Sequence, residues 1–419
     1  MSDKTQTVER PNGAGGVPDV TAGVGSERLI AVNMGPHHPS THGVLRLGLV
    51  LDGEKIVRCV PDIGYLHTGV EKLSEHHNWT QNITHYCRLD YLCPMHNELA
   101  YCLAVEKLIG PELKIPRRAD YIRVLMSELT RIIGHMVWLG THALDIGAMS
   151  VFFYCFRERE KVLDLYEEIG GQRMMTSYIR IGGVAYDTPP GFLDHVMDFV
   201  ESFEKDALNT FHSLLTENPI WLRRTQGIGV IGPKEALEWG LTGPVLRGSG
   251  VAYDVRRAFP YCRYEEFEFD IPVGEKGDTY DRYLVRMEEL RQSCRIIRQA
   301  VERLRKMPRG DNYARHPKFT PPGRVNINSS MEELIHHFKY WTEGIRPPKG
   351  EAYAAVESNK GEMGYYVKSE GGPKPFRVKI RAPAFVHLQA LPRLVKGHLI
   401  ADVVTVIGSI DLVLGEIDR

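Results

Sequence analysis

Between Ile132 and Phe156 the chain carries a single Asp, Glu, Lys or Arg, namely Asp145. A stretch this apolar has to be covered by protein or by lipid. It also holds three glycines, His135 and His142. Nowhere does the chain offer a clean run of about 18 apolar residues, the length a bilayer span demands. A long helix buried in a protein core is the solution left. The helical period extends it backwards, because Ile122, Leu125, Leu129, Ile132, Ile133, Met136 and Leu139 share one broad face. A helix is therefore expected from an N-cap at Asp120 to about Gly147. Glu128, Arg131, His135, His142 and Asp145 fall on another face, and for Glu128 and Arg131 that face is expected to be solvated. Asp145 differs: a lone carboxylate in apolar surroundings needs a partner or loses its charge. A histidine from elsewhere would serve. An aspartate capping the turn ahead of Gly147 is the alternative.

With 419 residues, such a helix belongs to a large core, and two or three domains or lobes are expected. The formal net charge of −1 provides no long-range field for nucleic acid or an anionic membrane. Seven cysteines at scattered positions form no Cys-x-x-Cys. That suits a reducing compartment and argues against a bound iron–sulfur cluster or structural zinc, so no metal of its own is expected. The N-terminal stretch shows no apolar segment of the signal-peptide kind.

Taken in order, residues 1–26 are rich in Gly, Thr, Ser and Asp with few large apolar residues, and read as a disordered or extended tail. Residues 27–64 read as a β lobe, with Asp52-Gly53 turning one strand into the next. Residues 65–306 read as a helical core, with helices expected at His96–Ile109, Arg157–Ile169, Gly191–Leu215 and Thr279–Lys306. Residues 307–419 read as a proline-rich linker followed by a β/α segment packed on that core. It has a short helix over Met331–Glu343, strands between Gly350 and Ile380, and one helix-like segment from Leu391 to Leu414. The fold class is α+β, mainly α: a long-helix bundle with small β lobes at its N- and C-terminal ends. Gly227-Ile228-Gly229-Val230-Ile231-Gly232 matches Gly-x-Gly-x-x-Gly, but Pro233 follows at once and no β-α-β pattern surrounds it, so a dinucleotide fingerprint is rejected.

Two short stretches carry the chemistry. Gly35-Pro36-His37-His38-Pro39-Ser40-Thr41-His42-Gly43 is a proline-stiffened loop with three histidines in six positions. Arg88-Leu89-Asp90-Tyr91 sets a phenol beside a charged pair. An imidazole and a phenol together make a proton-donor pair for a small polar head group. A histidine-rich surface turn is the alternative.

These stretches, with Gly64-Tyr65-Leu66-His67-Thr68-Gly69-Val70-Glu71-Lys72, Tyr178-Ile179-Arg180-Ile181-Gly182-Gly183-Val184, Tyr253-Asp254-Val255-Arg256-Arg257 and Pro347-Pro348-Lys349-Gly350-Glu351, resemble the D subunits of bacterial NADH-quinone oxidoreductase, respiratory complex I. The resemblance runs from about residue 28 to the end and implies the fold of the [NiFe]-hydrogenase large subunit. Arg88 to Pro94 resembles the hydrogenase pattern Arg-x-Cys-x-x-Cys-Pro, with Asp90 at the first metal cysteine and Cys93 at the second. Asp411 to Glu416 resembles Asp-Pro-Cys-x-x-Cys with both cysteines gone. A nickel-iron centre needs soft thiolates, normally four. A working hydrogenase-like large subunit is therefore the weaker alternative, and a scaffold without chemistry is a third.

The resemblance implies a quinone site shared with an adjacent subunit that carries a [4Fe–4S] cluster. It assigns the head-group contacts to His42 and Tyr91, and to Asp145 the carboxylate that pairs with His42. His38 is a further pocket residue, and Arg88 lies near the neighbour's cluster unless it pairs with Asp90. His37 is expected at the surface. Where relatives commonly carry a histidine near that cluster, this chain has Met175. That implies a less pH-dependent, lower-potential cluster and suits menaquinone, with ubiquinone the other choice. The implied partners are the B, C and I subunits of the peripheral arm and the H subunit of the membrane arm. The implied place is peripheral, on the cytoplasmic face of the bacterial cell membrane.

Overall fold

The computed structural model describes residues 29–310 and 312–419; the tail expected over 1–26 lies outside them. Three antiparallel strands come first, β1 (Leu29–Met34), β2 (Arg46–Asp52) and β3 (Lys55–Asp62). Leu29 pairs with Asp52 and Asp52 with Lys55 across the Asp52-Gly53 turn. The middle strand is buried from Leu47 to Leu51. The histidine loop is the connection between β1 and β2.

The helical core follows: α1 (Pro94–Ile109), α2 (Arg117–Asp145) and α3 (Met149–Gly170). The small β4 (Ile179–Arg180) and β5 (Gly183–Val184) pair next. Then α4 (Phe192–Ser202) continues through π-helical turns at Phe203–Ala207 and His212–Thr216. After short irregular pieces comes α5 (Thr279–Arg305), and then α6 (Met331–Thr342). The second three-stranded sheet is β6 (Gly350–Glu357), β7 (Glu362–Ser369) and β8 (Arg377–Arg381), again antiparallel.

Three helices end the chain where one was expected over Leu391–Leu414: α7 (Pro383–Val395), α8 (Ile400–Ser409) and α9 (Leu414–Asp418). The break has a cause. Gly397 turns left-handed at φ 84°, and its N–H donates to the Ile56 carbonyl at 2.8 Å while Ile56 N–H donates to His398 at 2.9 Å. The chain leaves helix to bond the edge of β3. A second break follows at Asp411, φ 51°.

α2 is the axis, packed against α3, α5 and α8. Its start also differs from expectation. Pro116, extended at ψ 140°, is the N-cap, and Asp120 sits inside the first turn, where a carboxylate still suits the helix dipole. The larger correction concerns its polar face. Every residue from Tyr121 to Gly140 is buried, so Glu128 and Arg131 are not solvated. Glu128 accepts from Arg131 Nε at 3.1 Å, Arg256 Nη1 at 3.1 Å, Tyr264 at 2.7 Å and Ser293 at 2.7 Å. Beside it Arg247 bonds Glu289 and Glu357, Arg256 bonds Asp254, and His135 Nε2 lies 2.8 Å from Glu289. A helix surrounded on all sides has to neutralise its charges internally.

The apolar side chains form two cores. The larger joins α1–α5 with the second sheet. The smaller joins β2 and β3 with residues 231–246 and α7–α9. The end of the chain is thus divided: its sheet belongs to the helical core, and its last helices belong to the N-terminal strands. The glycine run 227–232 bonds the start of α5, Gly227 N–H to Asp278 at 2.9 Å and Thr279 N–H to the Ile228 carbonyl at 3.1 Å. All sheets among the described residues are antiparallel. The β-α-β frame of a dinucleotide site is not what these strands build. No helix among the described residues is long and apolar enough to cross a membrane.

Candidate functional site

The histidine loop folds on itself before it meets anything else. Gly35 enters it at φ +81°, and a side chain there would put its Cβ 2.1 Å from the Leu45 carbonyl, so only glycine fits. Pro39–Thr41 form one 3-10 turn, capped by His38, whose Nδ1 accepts from Ser40 N–H at 3.2 Å. Buried Thr41 donates to the His38 carbonyl at 2.9 Å. His42 ends the turn in a left-handed conformation, φ 53°. The turn rests on α8, and α8 rests on α2, where Trp138 Nε1 donates to the Gly408 carbonyl at 2.7 Å. His37 is exposed, as expected.

Tyr91 lies across the seam between the two cores. Leu89 belongs to the larger core and Leu414 to the smaller. Gly415 joins them: a Cβ there would fall 2.4 Å from the Leu89 carbonyl and 3.3 Å from the Tyr91 ring. Beneath the seam is a buried ion cluster. Lys360 Nζ lies 2.8 Å from Asp90 Oδ2 and 3.8 Å from Asp411 Oδ2. Asn359 bonds Asp411 at 3.3 Å. Burial works against the ammonium, yet Asp411 and Asp90 hold its pKa well above the ordinary lysine value, with Cys93 and Glu416 also facing it. Burial and Asp90 push the Glu416 carboxyl up to about 8. Three of the four positions that resemble hydrogenase cysteines, Asp90, Cys93 and Glu416, thus face a lysine cation, and the fourth is Val413. Cys93 is a buried core thiol against α2, where a Cβ on Gly134 would approach its Sγ to 2.4 Å.

Both candidate donors feel this cluster. His42 keeps accessible surface, but the protein packed around it lowers its pKa below 6.5, with Asp411 opposing and Lys360 reinforcing. Half-buried Tyr91 has its phenol pushed above 10 by burial and by Asp90, with Lys360 opposing.

Asp145 stands at the end of α2, half-buried, and reaches the same loop. Its partners are His38 and Ser40, not His42. Burial pushes its carboxyl up to about 6, against the His38 charge and the Ser40 hydroxyl. The partner expected for this lone carboxylate is therefore a histidine, one turn earlier in the loop.

Arg88 and Met175 face elsewhere. Arg88 is exposed, bonded to the Thr84 carbonyl and 3.4 Å from Cys87 Sγ. Asp90 is taken by Lys360, so the Arg88–Asp90 pair is not formed. Met175 is half-buried in a left-handed turn, φ 56°. Its neighbour Ser177 meets Cys87, which brings Arg88 and the Met175 turn to one surface. Glu98, its carboxyl pushed up by burial to about 8, anchors that turn by accepting from Ser177 N–H at 2.8 Å and Ile179 N–H at 3.0 Å.

Sequence reasoning missed Lys360. Ser358-Asn359-Lys360-Gly361 between two strands reads as an exposed hairpin turn, and no local signal marks its lysine as buried.

A helical core with small antiparallel sheets fits the fold of the [NiFe]-hydrogenase large-subunit class. Residues 145–419 match the family described as the respiratory-chain NADH dehydrogenase 49 kDa subunit. An NADH-quinone oxidoreductase D subunit of Chloroflexus aurantiacus is 54% identical over 395 residues, covering 94% of this chain and 95% of the relative. The NADH-quinone oxidoreductase D subunit of Geobacter metallireducens is 54% identical over 394 residues, covering 94% and 100%. The chain belongs to this family, the D (49 kDa) subunits of respiratory complex I, and is a component of an oxidoreductase complex that works with the other subunits of that complex.

Proposed function

We propose that this chain forms the quinone-reduction site of a proton-pumping NADH:quinone oxidoreductase, together with an adjacent subunit that carries a [4Fe–4S] cluster. The observation that supports the proposal is that an accessible imidazole, His42, and a half-buried phenol, Tyr91, both face the one buried ammonium of Lys360. A quinone takes two electrons and two protons to become a quinol. The electrons arrive singly from the neighbouring cluster. The phenol, whose pKa is high, stays protonated until charge develops on the quinone oxygen. The imidazole, whose pKa is low, gives up its proton readily once it is charged. Neutral imidazole and tyrosinate are then recharged from solvent. The decisive experiment replaces Tyr91 by Phe in the assembled complex.

Asp145 links this chemistry to pumping. Its carboxyl, pushed up to about 6, lies near enough to neutrality to change charge when protons leave the loop. Asp145→Asn is expected to retain quinone reduction and lose most proton translocation, measured as protons moved per quinol formed in proteoliposomes. A native ratio would remove Asp145 from the coupling path.

The surface of Arg88 and Met175 is where the cluster-bearing subunit docks. A thioether takes up no proton, so the cluster's potential is expected to be less pH-dependent and lower than beside a histidine, and the low potential suits menaquinone. Met175→His is expected to raise the potential and give it a pH slope. Redox titration of the cluster signal at several pH values measures both, and a native protein that already shows the slope would reject the assignment. The further partners are the B, C and I subunits of the peripheral arm and the H subunit of the membrane arm, which hold the chain peripherally at the cytoplasmic face of the cell membrane.

A further inference from the structure

We propose that Lys360 is a positioning residue for the reaction. Its buried ammonium clamps Asp90, next to Tyr91, and Asp411, below the histidine loop, so that one cation sets the charge felt by both proton donors. The inference rests on the quinone-site reading and deepens it.

The geometry is specific. Lys360 comes from the β6–β7 turn, Asp90 from the loop before α1, and Asp411 from the break after α8. These three segments belong to different parts of the chain, and the lysine, fully buried, is 2.8 and 3.8 Å from the two carboxylates. A buried ammonium between two carboxylates pins the segments that carry them, because moving either segment leaves an unpaired charge. One of those segments carries Tyr91. The other bears on the turn that ends at His42, through α8.

The charge itself reaches both donors. The groups facing His42 are Asp411 and Lys360. Those facing Tyr91 are Asp90 and Lys360. Those facing Lys360 are Asp411, Asp90, Cys93 and Glu416. The cation is the member common to both donors, and on each it acts to favour release of the proton. The two carboxylates act the other way, each on one donor. Removing the cation alone therefore shifts both donors in the same direction. Removing Asp90 shifts Tyr91 only.

The test uses the assembled complex with NADH and a short-chain quinone, and reads turnover against pH. Both donors act protonated, so each gives a fall in turnover as pH rises, the lower one set by His42 and the upper one by Tyr91. Lys360→Met is expected to move both falls upward by about one unit and to lower kcat at pH 7 about tenfold, because a donor held about one unit more tightly releases its proton less readily. Lys360→Met combined with Asp90→Asn removes the cation with its closest anion. Its upper fall is expected to return toward native while its lower fall stays high. Lys360→Arg keeps the charge and is expected to keep the native profile. If neither methionine variant assembles, Asp90→Asn alone decides, with the upper limb moving down and the lower limb fixed. Limbs that stay native in whichever of these variants assembles overturn the proposal and leave a structural clamp only. Tyr91→Phe measured in parallel separates the two ideas. Native turnover there removes the quinone site itself, whereas slow turnover beside native Lys360→Met limbs removes only the role of Lys360.

Discussion

Tyr91→Phe in the assembled complex is expected to lower quinone reductase turnover by about 100-fold, while the neighbouring cluster is reduced as in the native protein. The size follows from general-acid catalysis, which contributes about 10²–10⁴-fold, here taken at its lower end because Tyr91 is only half-buried and water can take the place of the hydroxyl. The substitution deletes one hydroxyl. The ring is kept, and it lies beside Gly415, where a Cβ, absent in glycine, would fall 3.3 Å from it, so the seam between the two cores keeps its shape. The phenol is pushed above 10 by burial and by Asp90, so the native group holds its proton across the working pH range and the variant loses a donor, not a charge. The loss is therefore expected in kcat at every pH below the basic limb. Stopped-flow reduction of the cluster by NADH, followed by its reoxidation with quinone, separates the two halves of the reaction: the first stays native and the second slows. Native reoxidation would make the phenol a packing group, and the scaffold reading would take the place of the quinone site.

Local pattern exposed much of the fold. The strand pair turned at Asp52-Gly53 and the helices ending at Ile109 and beginning at Thr279 were legible because each is bounded by residues with strong backbone preferences. The stretch from Ile132 to Phe156 declared its burial by composition. What stayed hidden depends on contacts between distant segments. Gly397 breaks the last helix because β3 offers it a carbonyl, and the helix-like pattern through Leu391–Leu414 gives no hint of that edge. The site divides in the same way. Proline, glycine and histidine density marks the loop, and the lone charge marks Asp145. The resemblance assigned its partner to His42; His38 and His42 are both histidines of one short turn, and the fold sets His38 and Ser40, not His42, against Asp145. Lys360 was invisible for a stronger reason: a lysine in a Ser-Asn-Lys-Gly turn is ordinarily solvated, and its burial is decided by Asp90 and Asp411, 270 and about 50 residues away.

Glu128→Ala is expected to be the most destabilising single change among these residues. On a helical wheel Glu128 belongs to a polar stripe, and polar stripes normally face water. Here α2 has no free face. The carboxylate is fully buried and accepts from Arg131, Arg256, Tyr264 and Ser293. Burial alone would raise its pKa, but Arg131 and Arg256 hold it well below the usual carboxylate range. Removing it sets two guanidinium groups against each other in the core and leaves two hydroxyls without their acceptor. Breaking a buried pair in this way costs about 3–5 kcal/mol. The lower part of that range applies, because Arg131 keeps the Glu357 and Ser358 carbonyls and Arg256 keeps Asp254. The sign with pH follows from the depressed pKa. The native contribution is complete above about pH 4.5, the ordinary glutamate value, and is lost only as pH falls toward the lowered folded value. The variant lacks it at every pH, so its deficit is full at neutrality and shrinks in acid. Thermal inactivation of the assembled complex at pH 7 and at pH 4, with amide exchange of α2 as the local probe, measures this. Ser293→Ala removes one hydrogen bond from the same carboxylate and is expected to cost about 1 kcal/mol. Equal inactivation temperatures for Glu128→Ala and Ser293→Ala would mean that the two arginines find new partners in the core, and that the charges along α2 are tolerated there and are not what holds it together.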